Sequence, residues 1–187
     1  MKLAFKIQYK GTNYSGFQSQ KNANSIQDEL IRAFKGISAD NVQMNYSGRT
    51  DKGVHALGQV FDVVVSQDRS DMQWINGLNS NLPNDISVVD LERVEDSFHS
   101  RFDAKKRTYK YFIVNRKNFL VLDKNRAWLV KKKLNINNMR KAIKLFSGTH
   151  NFNAFRSSSC SAKSPIRTIE KSSIIKKGNK IITKPNK

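Results

Sequence analysis

A short polar loop contains residue types that could perform carboxylate chemistry. In the stretch Tyr46–Ala56, YSGRTDKGVHA, an Arg and an Asp lie between two glycines. Gly48 and Gly53 allow the backbone to turn sharply, and an ionised Asp51 could act as a nucleophile or accept a proton. Arg49 could bind phosphate, or offset the cost of removing a carboxylate from water. The pattern predicts a catalytic site at Asp51.

The same residues also fit an ordinary hairpin turn. The sequence TDKG has Asp near its start and Gly at its end, which is typical of turns between strands. On this interpretation Asp51 is a structural residue and performs no chemistry. A simple hairpin does not need Arg49 or His55, so the surrounding residues favour the catalytic interpretation.

A second candidate site is the aromatic and basic run KKRTYKYF. Tyr109 and Tyr111 alternate along a predicted strand from Arg107 to Asn115 and would share one face of it. Tyrosines in strands are often explained by packing alone. On an open sheet face, however, a tyrosine can also stack against a nucleobase. The basic neighbours that favour this use are Lys105, Lys106, Arg107 and Lys110.

Other kinds of site receive little support from the sequence. The three histidines are scattered, without the spacing of metal ligands. Nucleotide-binding glycine motifs are absent, and the one cysteine, Cys160, has no flanking residues that mark a nucleophile. No apolar run is long enough to span a membrane. We therefore expect a cytoplasmic protein that uses neither metal nor nucleotide cofactor.

Positive charge is concentrated in the second half of the chain. Residues 1–100 contain 10 Lys and Arg against 12 Asp and Glu, whereas residues 101–187 contain 24 against 3. A lysine-rich composition alone would spread the charge evenly. A one-sided basic field is typical of proteins that bind polyanions, so the distribution indicates a nucleic-acid partner.

Apolar periodicity predicts an α+β fold in two halves. The first half has the order β-α-β-β-α-β, a split βαβ or ferredoxin-like pattern. Its strands are predicted at 3–10, 42–47, 58–65 and 86–94, and its helices begin at Ser25 and Asp71 and end at Gly36 and Pro83. The second half has the order β-β-α-β-β. Its strands are predicted at 107–115, 127–130, 169–175 and 180–183, with a helix that begins after Asn135 and ends at Gly148.

Several motifs in order along the chain resemble the tRNA pseudouridine synthase A family. They are YKGTNYSGFQSQ, GRTDKGVHALGQV, INGLNSNLPNDISV, FHSRFDAKKRTYKY, GTHNFNAFR and SPIRTI. The resemblance implies the pseudouridine synthase fold, in which two ferredoxin-like or RRM-like halves with antiparallel sheets form an RNA-binding cleft. It places the catalytic loop in residues 1–104 and a basic half in residues 105–187.

The resemblance also implies a reaction and its residues. Family members isomerise uridine to pseudouridine at positions 38–40 of the tRNA anticodon stem-loop, act as homodimers and need no metal or nucleotide cofactor. By similarity, the catalytic residues are Asp51, Arg49 and Tyr109. The implied RNA-binding residues are Phe98, His99, Ser100, Arg101, Phe102, Arg107, Ser159, Cys160, Ser161, Ala162 and Lys163.

The chain departs from the family pattern after the last predicted hairpin. The family continues with a further strand containing an Arg that pairs with the catalytic Asp, whereas KIITKPNK ends this sequence. We therefore expect an incomplete second half with reduced stability and weak turnover. Two alternatives to the enzyme remain. One is a non-catalytic RNA-binding module that uses the same basic half, and the other is a metal-dependent nuclease, which would need clustered carboxylates.

Overall fold

In the first compact unit, Met1–Ala104, the described residues form one sheet and two α-helices. The computed structural model describes residues 1–38, 41–156 and 164–186. The elements of this unit are β1 (Lys2–Tyr9), α1 (Ile26–Ile37), β2 (Met44–Tyr46), β3 (Ala56–Val64), α2 (Asp71–Asn81) and β4 (Ile86–Val94). The strand order is β2-β3-β1-β4, and every neighbouring pair is antiparallel. This is the predicted order of elements, although β2 is shorter than predicted.

Both helices begin at serine caps. The Ser25 side chain accepts a hydrogen bond from the Asp28 backbone N–H, and Ser70 with Gln73 forms a reciprocal capping box. Each cap contributes about 1 kcal/mol to helix stability. The prediction that Gly36 ends α1 was wrong, because the helix continues to Ile37. A Cβ at position 36 would lie 2.6 Å from the Asn81 side chain, so glycine allows α1 to approach the end of α2.

Aromatic side chains form the centre of the hydrophobic core in the first unit. Phe5 of β1 stacks on Phe61 of β3 with ring centroids 5.1 Å apart, and Phe34 of α1 meets Phe5 edge-on at 5.6 Å. Trp74 of α2 packs against Phe34 at 6.0 Å. All four side chains are fully buried. The helices are therefore packed on one face of the sheet, and this packing fixes the strand ends that flank the loops.

A buried carboxylate lies on the other face of this sheet. Asp62 alternates along β3 with the core residues Phe61 and Val63, and its exposure is 1%. Its Oδ1 accepts a hydrogen bond from the Ser100 backbone N–H at 2.8 Å, and its Oδ2 accepts one from Asn45 Nδ2 at 3.0 Å. The Lys2 ammonium lies 3.7 Å from Oδ2. Asp62 thus links β3 to its neighbours in the sheet and to the chain after β4.

The surroundings of Asp62 favour its ionised form. Burial by itself raises the pKa of Asp62, but hydrogen bonds from Ser100 and Asn45 and the charge of Lys2 outweigh that effect and hold the pKa below its ordinary value. A carboxyl group whose pKa is lower in the folded than in the unfolded chain stabilises the fold at pH values above its unfolded pKa. This contribution is lost as the pH falls through the folded-state pKa.

The Asp62→Asn variant should show this pH dependence. We expect it to have a smaller free energy of unfolding than the wild type at pH 7, because asparagine lacks the charge that Lys2 and the buried donors stabilise. The difference should shrink below pH of about 4, where the unfolded carboxyl becomes protonated. Urea unfolding at a series of pH values between 3 and 7 measures it. A difference that stays constant over this range would contradict the assignment.

The described residues of the second compact unit, Lys105–Lys187, form two sheets and one α-helix. Its elements are β5 (Tyr111–Asn115), β6 (Trp128–Val130), α3 (Ile136–Lys144), β7 (Gly148–Asn151), β8 (Ile166–Ile169), β9 (Lys171–Lys177) and β10 (Lys180–Asn186). The larger sheet has the order β6-β5-β10-β9, and β7 pairs with β8. The sheets are antiparallel as expected, except that β5 and β6 pair in parallel. The long connection between them allows the chain to return in the same direction.

Other local predictions in this unit need smaller corrections. The strand predicted from Arg107 begins at Tyr111, although the Tyr109 N–H still bonds the Pro185 carbonyl at 3.0 Å. Asn135 caps α3 as predicted, but the helix ends at Lys144, and Gly148 begins β7 instead of ending the helix. The predicted hairpin is present as β9 and β10, with Gly178 in the turn at a φ of 56°.

The second unit buries few of its large apolar side chains. Among its described residues, the buried hydrophobic ones are Ile113, Val114 and Ile181. Exposed large hydrophobic side chains include Tyr111, Phe119, Val121, Leu122, Trp128, Leu145 and Phe155. The hydrophobic stabilisation per residue is therefore smaller here than in the first unit.

Candidate functional site

The loop of residues 47–55, which we call the Asp51 loop, connects the antiparallel strands β2 and β3. Within it, the Val54 N–H donates to the Asp51 carbonyl at 3.2 Å and closes a four-residue turn. Gly53, the third residue of this turn, has a φ of 79°, a value that glycine adopts without strain. Asp51 therefore begins a tight turn, as the alternative interpretation expected, and this position leaves its side chain exposed.

The segment between β1 and α1 holds the Asp51 loop through backbone contacts. The Phe17 N–H donates to the Thr50 carbonyl at 3.0 Å, and the Gly53 N–H donates to the Tyr14 carbonyl at 3.4 Å. Gly11 lies so close that a Cβ there would be 2.0 Å from the Val54 carbonyl oxygen. The two segments are thus in direct backbone contact, and small changes in one would displace the other.

Two polar side chains also hold the loop. The Tyr9 hydroxyl shares a 2.8 Å hydrogen bond with Thr50 Oγ1, and burial raises the pKa of Tyr9, an effect that this bond only partly offsets. Gln59 Nε2 donates to the Gly48 carbonyl, and Gln59 Oε1 accepts a hydrogen bond from Ser47 Oγ at 3.1 Å. The residues on both sides of Arg49 are therefore fixed.

A third connection runs from the supporting segment to the start of β4. The Tyr14 hydroxyl donates to Asp85 Oδ1 at 2.5 Å, and the Lys10 N–H donates to the Asp85 carbonyl at 2.8 Å. Burial and the Asp85 carboxylate both raise the pKa of Tyr14. Because the Tyr14 carbonyl accepts from Gly53, Asp85 supports the Asp51 loop through one intervening residue.

Two of the predicted site residues, Arg49 and Asp51, are exposed to solvent although the backbone beside them is held in place. Thr50 is tied to buried Tyr9, whereas Arg49 and Asp51 on either side of it are exposed. His55 is half-buried. The resemblance implied an RNA-binding cleft, but the Asp51 side chain is exposed in the structure. The loop thus combines a fixed backbone with a carboxylate and a guanidinium that a ligand can reach.

Removal of the Tyr9 hydroxyl should loosen the loop. We expect Tyr9→Phe to lower the free energy of unfolding by about 1 kcal/mol, the usual effect of losing one intramolecular hydrogen bond. Tyr46→Phe is the matched control, because Tyr46 packs on the same Phe17 ring at 4.6 Å and its hydroxyl is not one of the loop's supports. Urea unfolding monitored by circular dichroism gives both values. Equal destabilisation by the two variants would show that the Tyr9–Thr50 bond does not stabilise the loop.

The predicted RNA-binding run from Phe98 to Phe102 follows β4 in the first unit. Together with Asp103 it forms a segment that we call the 98–103 turn. Phe102 is 74% exposed, and the His99 ring lies 4.3 Å from it. The Arg101 guanidinium carbon is 5.7 Å from the centre of the Phe102 ring. By contrast, Ser100 is buried against Asp62. The turn therefore presents an aromatic ring beside a guanidinium while its middle residue is fixed to the sheet.

The remaining predicted residues belong to the second unit or lie outside the described residues. Tyr109 is 45% exposed just before β5, and Arg107 is half-buried. Lys106 forms an ion pair of 2.9 Å with Glu170. The run Ser159, Cys160, Ser161, Ala162 and Lys163 lies outside the described residues. The structure thus brings Arg49 and Asp51 into one loop, and it places the 98–103 turn in the same unit.

Sequence reasoning missed the residues that support the site. Tyr9, Gln59 and Asp62 were not predicted to have a functional position, although alternation in β1 and β3 indicates which face each one occupies. What the pattern does not reveal is the partner, since Tyr9 bonds a residue 41 positions away and Asp62 one 38 positions away. The long motif GRTDKGVHALGQV was a usable signal for Gln59, because it extends beyond the loop into β3.

The described ranges, 1–38, 41–156 and 164–186, contain neither a candidate metal site nor a candidate membrane-spanning helix. No group of three or more His, Cys, Asp or Glu side chains in these ranges is arranged to hold a metal ion. No helix in these ranges combines the length and apolar character needed to cross a bilayer.

The chain is similar in sequence to known proteins over most of its length. A family model described as tRNA pseudouridine synthase matches residues 6–103 and 142–184. The tRNA pseudouridine synthase A of Ehrlichia canis (strain Jake) is 43% identical over 177 residues, which cover 94% of this chain and 72% of that protein. That of Francisella philomiragia subsp. philomiragia is 39% identical over 178 residues, which cover 95% of this chain and 69% of that protein.

The chain therefore belongs to the tRNA pseudouridine synthase family. Its activity is that of an isomerase that forms pseudouridine in tRNA. The matched ranges of the family model include the Asp51 loop and the 98–103 turn, whereas Arg107 and Tyr109 lie between the two ranges.

Proposed function

We propose that this protein converts uridine to pseudouridine at positions 38–40 of the tRNA anticodon stem-loop, with Asp51 as the essential carboxylate. The observation that supports this most is the Asp51 loop itself. Its backbone is held by Tyr9, Phe17 and Gln59, and its carboxylate is open to a ligand. A reactive group on a fixed backbone meets the requirement that catalysis places on positioning.

The reaction needs no co-reactant. The bond between N1 of the base and C1′ of the ribose breaks, and a bond between C5 and C1′ forms. One proton leaves C5 and one is gained at N1, so substrate and product have the same composition. Asp51 would attack the nucleotide or otherwise assist departure of the base from the sugar, and Tyr109 would stack on the base and assist in removing the C5 proton.

The target nucleotide must leave the helical stack before Asp51 can reach it. Arg49 is close to the carboxylate in sequence and exposed, so it would occupy the vacated position or bind the neighbouring phosphate. The 98–103 turn would provide a further contact, because exposed aromatic rings beside guanidinium groups stack well on unpaired bases. The basic second half would bind the tRNA backbone through its phosphates.

A homodimer is part of the same proposal. The second unit exposes several large apolar side chains, among them Phe119, Leu122 and Trp128. A second copy of the chain that covered these side chains would remove apolar surface from water, which favours association. Light scattering of the purified chain tests this part separately from the catalytic part.

Release of hydrogen from C5 tests the proposed activity. Undermodified tRNA whose uridines carry tritium at C5 should lose tritium to water when incubated with the protein. The matched control is the same transcript with cytidine at positions 38–40, which should release none. If the protein binds tRNA but releases no tritium, it is an RNA-binding module. If it cleaves the RNA only when magnesium is added, it is a nuclease.

A further inference from the structure

We infer that Asp62 is a positioning residue, which fixes the 98–103 turn to the first sheet so that the turn can contact RNA. This inference rests on the proposed function, because it assumes that the 98–103 turn binds tRNA. Asp62 has an exposure of 1%, so it is too buried to touch RNA and would act through its hydrogen bond with Ser100.

The 98–103 turn is closed by its own hydrogen bonds. The Phe102 and Asp103 N–H groups both donate to the His99 carbonyl, at 3.1 Å and 2.9 Å. Asp103 Oδ2 in return accepts from the His99 N–H at 2.7 Å. These bonds define the shape of the turn, but they do not determine where it lies on the sheet.

The connection to the sheet is made by Ser100. Its N–H donates to Asp62 Oδ1 at 2.8 Å, and Ser100 is 3% exposed, so water has little access to replace this bond. Hydrogen bonds to an ionised acceptor are shorter and stronger than neutral ones. Lys2 assists from the same side, because its ammonium donates to the Asp96 carbonyl at 3.0 Å and also faces Asp62.

Cross-strand neighbours keep the carboxylate itself in place. Pairing of β2, β3, β1 and β4 aligns Asn45, Asp62, Ala4 and Glu92 in one row across the sheet. Asn45 bonds Oδ2, which leaves Oδ1 for Ser100. The two carboxylate oxygens therefore have separate partners, one inside the sheet and one in the turn.

The row also contains a matched control. Glu92 has the same charge as Asp62 and lies on the same face, but its side chain is exposed. Asp62→Ala and Glu92→Ala each remove one negative charge from this face, so both should favour RNA slightly through electrostatics. Only Asp62→Ala should also release the turn. Weaker RNA binding in that variant alone would therefore come from geometry and not from charge.

Asp62→Asn should rescue most of the effect of Asp62→Ala. The asparagine Oδ1 can still accept from the Ser100 N–H, and its amide can donate to Asn45 if that side chain rotates by a half-turn. A residue whose only role was to fill space would be replaced equally well by other small side chains. Rescue by the conservative variant is thus specific to the hydrogen-bonding role.

The experiment combines tRNA kinetics with amide hydrogen exchange on the full chain. For Asp62→Ala we expect the KM for tRNA to rise about tenfold, kcat to change less than about twofold, and exchange at the Ser100 amide to accelerate while amides of β1 and β3 keep their protection. Asp62→Asn and Glu92→Ala should lie within about twofold of the wild type in KM.

Three outcomes would overturn the inference. Unchanged exchange at Ser100 in Asp62→Ala would show that Asp62 does not fix the turn. Accelerated exchange with an unchanged KM would show that the turn does not serve RNA binding. A wild-type chain that neither binds tRNA nor forms pseudouridine would overturn the proposed function, and the RNA part of this inference with it, whereas the exchange data would still report the Asp62–Ser100 link.

Discussion

The Asp51→Asn variant is expected to lose pseudouridine formation and to keep its affinity for tRNA. Asparagine has nearly the same shape as aspartate, so the turn closed by Val54 and the supports from Tyr9 and Gln59 should persist. It has no negative charge, however, and can act neither as a nucleophile nor as a proton acceptor. We expect kcat to fall by about 10³-fold or more, within the range seen when acid–base or covalent groups are removed.

Tritium release from C5-labelled tRNA measures the rate, and filter binding measures the affinity. Asp96→Asn is the matched control, since Asp96 is exposed in the same unit and outside the loop. It should retain the wild-type rate. If Asp51→Asn keeps more than about a tenth of the wild-type activity, Asp51 is a turn residue and the chemistry must be performed elsewhere.

The Gly11→Ala variant is expected to lose most of the activity without altering any side chain of the Asp51 loop. The added Cβ would lie 2.0 Å from the Val54 carbonyl oxygen and 2.7 Å from its carbon. Backbone cannot rotate away as a flexible side chain can, so the loop must move. Because a displacement of about 1 Å can cost about 10²-fold in rate, we expect a loss of that order in kcat.

A second glycine provides the comparison for this variant. Gly77 of α2 would place a Cβ 3.4 Å from the Ile37 side chain, which is close to an ordinary contact, and alanine is the better helix former. Gly77→Ala should therefore be active and at least as stable as the wild type. Thermal unfolding of both variants separates a displaced loop from a damaged fold. Full activity in Gly11→Ala would show that the backbone contact does not position Asp51.

Much of the first unit could be predicted because its signals are local. Alternation predicted β1 and β4, whose predicted bounds, Ile86–Val94, are the observed ones, and Ser25 was recognised as the residue at which α1 begins. Gly36 shows the limit of such reasoning. It resembles a helix stop in the sequence, but its role depends on Asn81, a residue that local patterns cannot associate with it.

The candidate site also combines residues that local motifs reveal with residues whose contacts are distant in the sequence. Asp51, Arg49 and most of the 98–103 turn belong to contiguous motifs, so they could be predicted as site residues from the sequence alone. Their supports are contacts between residues far apart in the chain, such as Tyr9 with Thr50 and Asp62 with Ser100. The pairing of β7 with β8 was missed for a related reason, since both strands are short and largely exposed, and they lack a buried apolar face that alternation could reveal.

The uneven burial of apolar side chains has a practical consequence for digestion of the protein by trypsin. Regions with few buried contacts open most readily, and among the described residues of Lys105–Lys187 only Ile113, Val114 and Ile181 are buried hydrophobic residues. The same half is rich in lysine and arginine. Brief digestion should therefore degrade that part first and leave a resistant fragment close to Met1–Ala104. This fragment contains both the Asp51 loop and the hydrogen bond between Asp62 and Ser100.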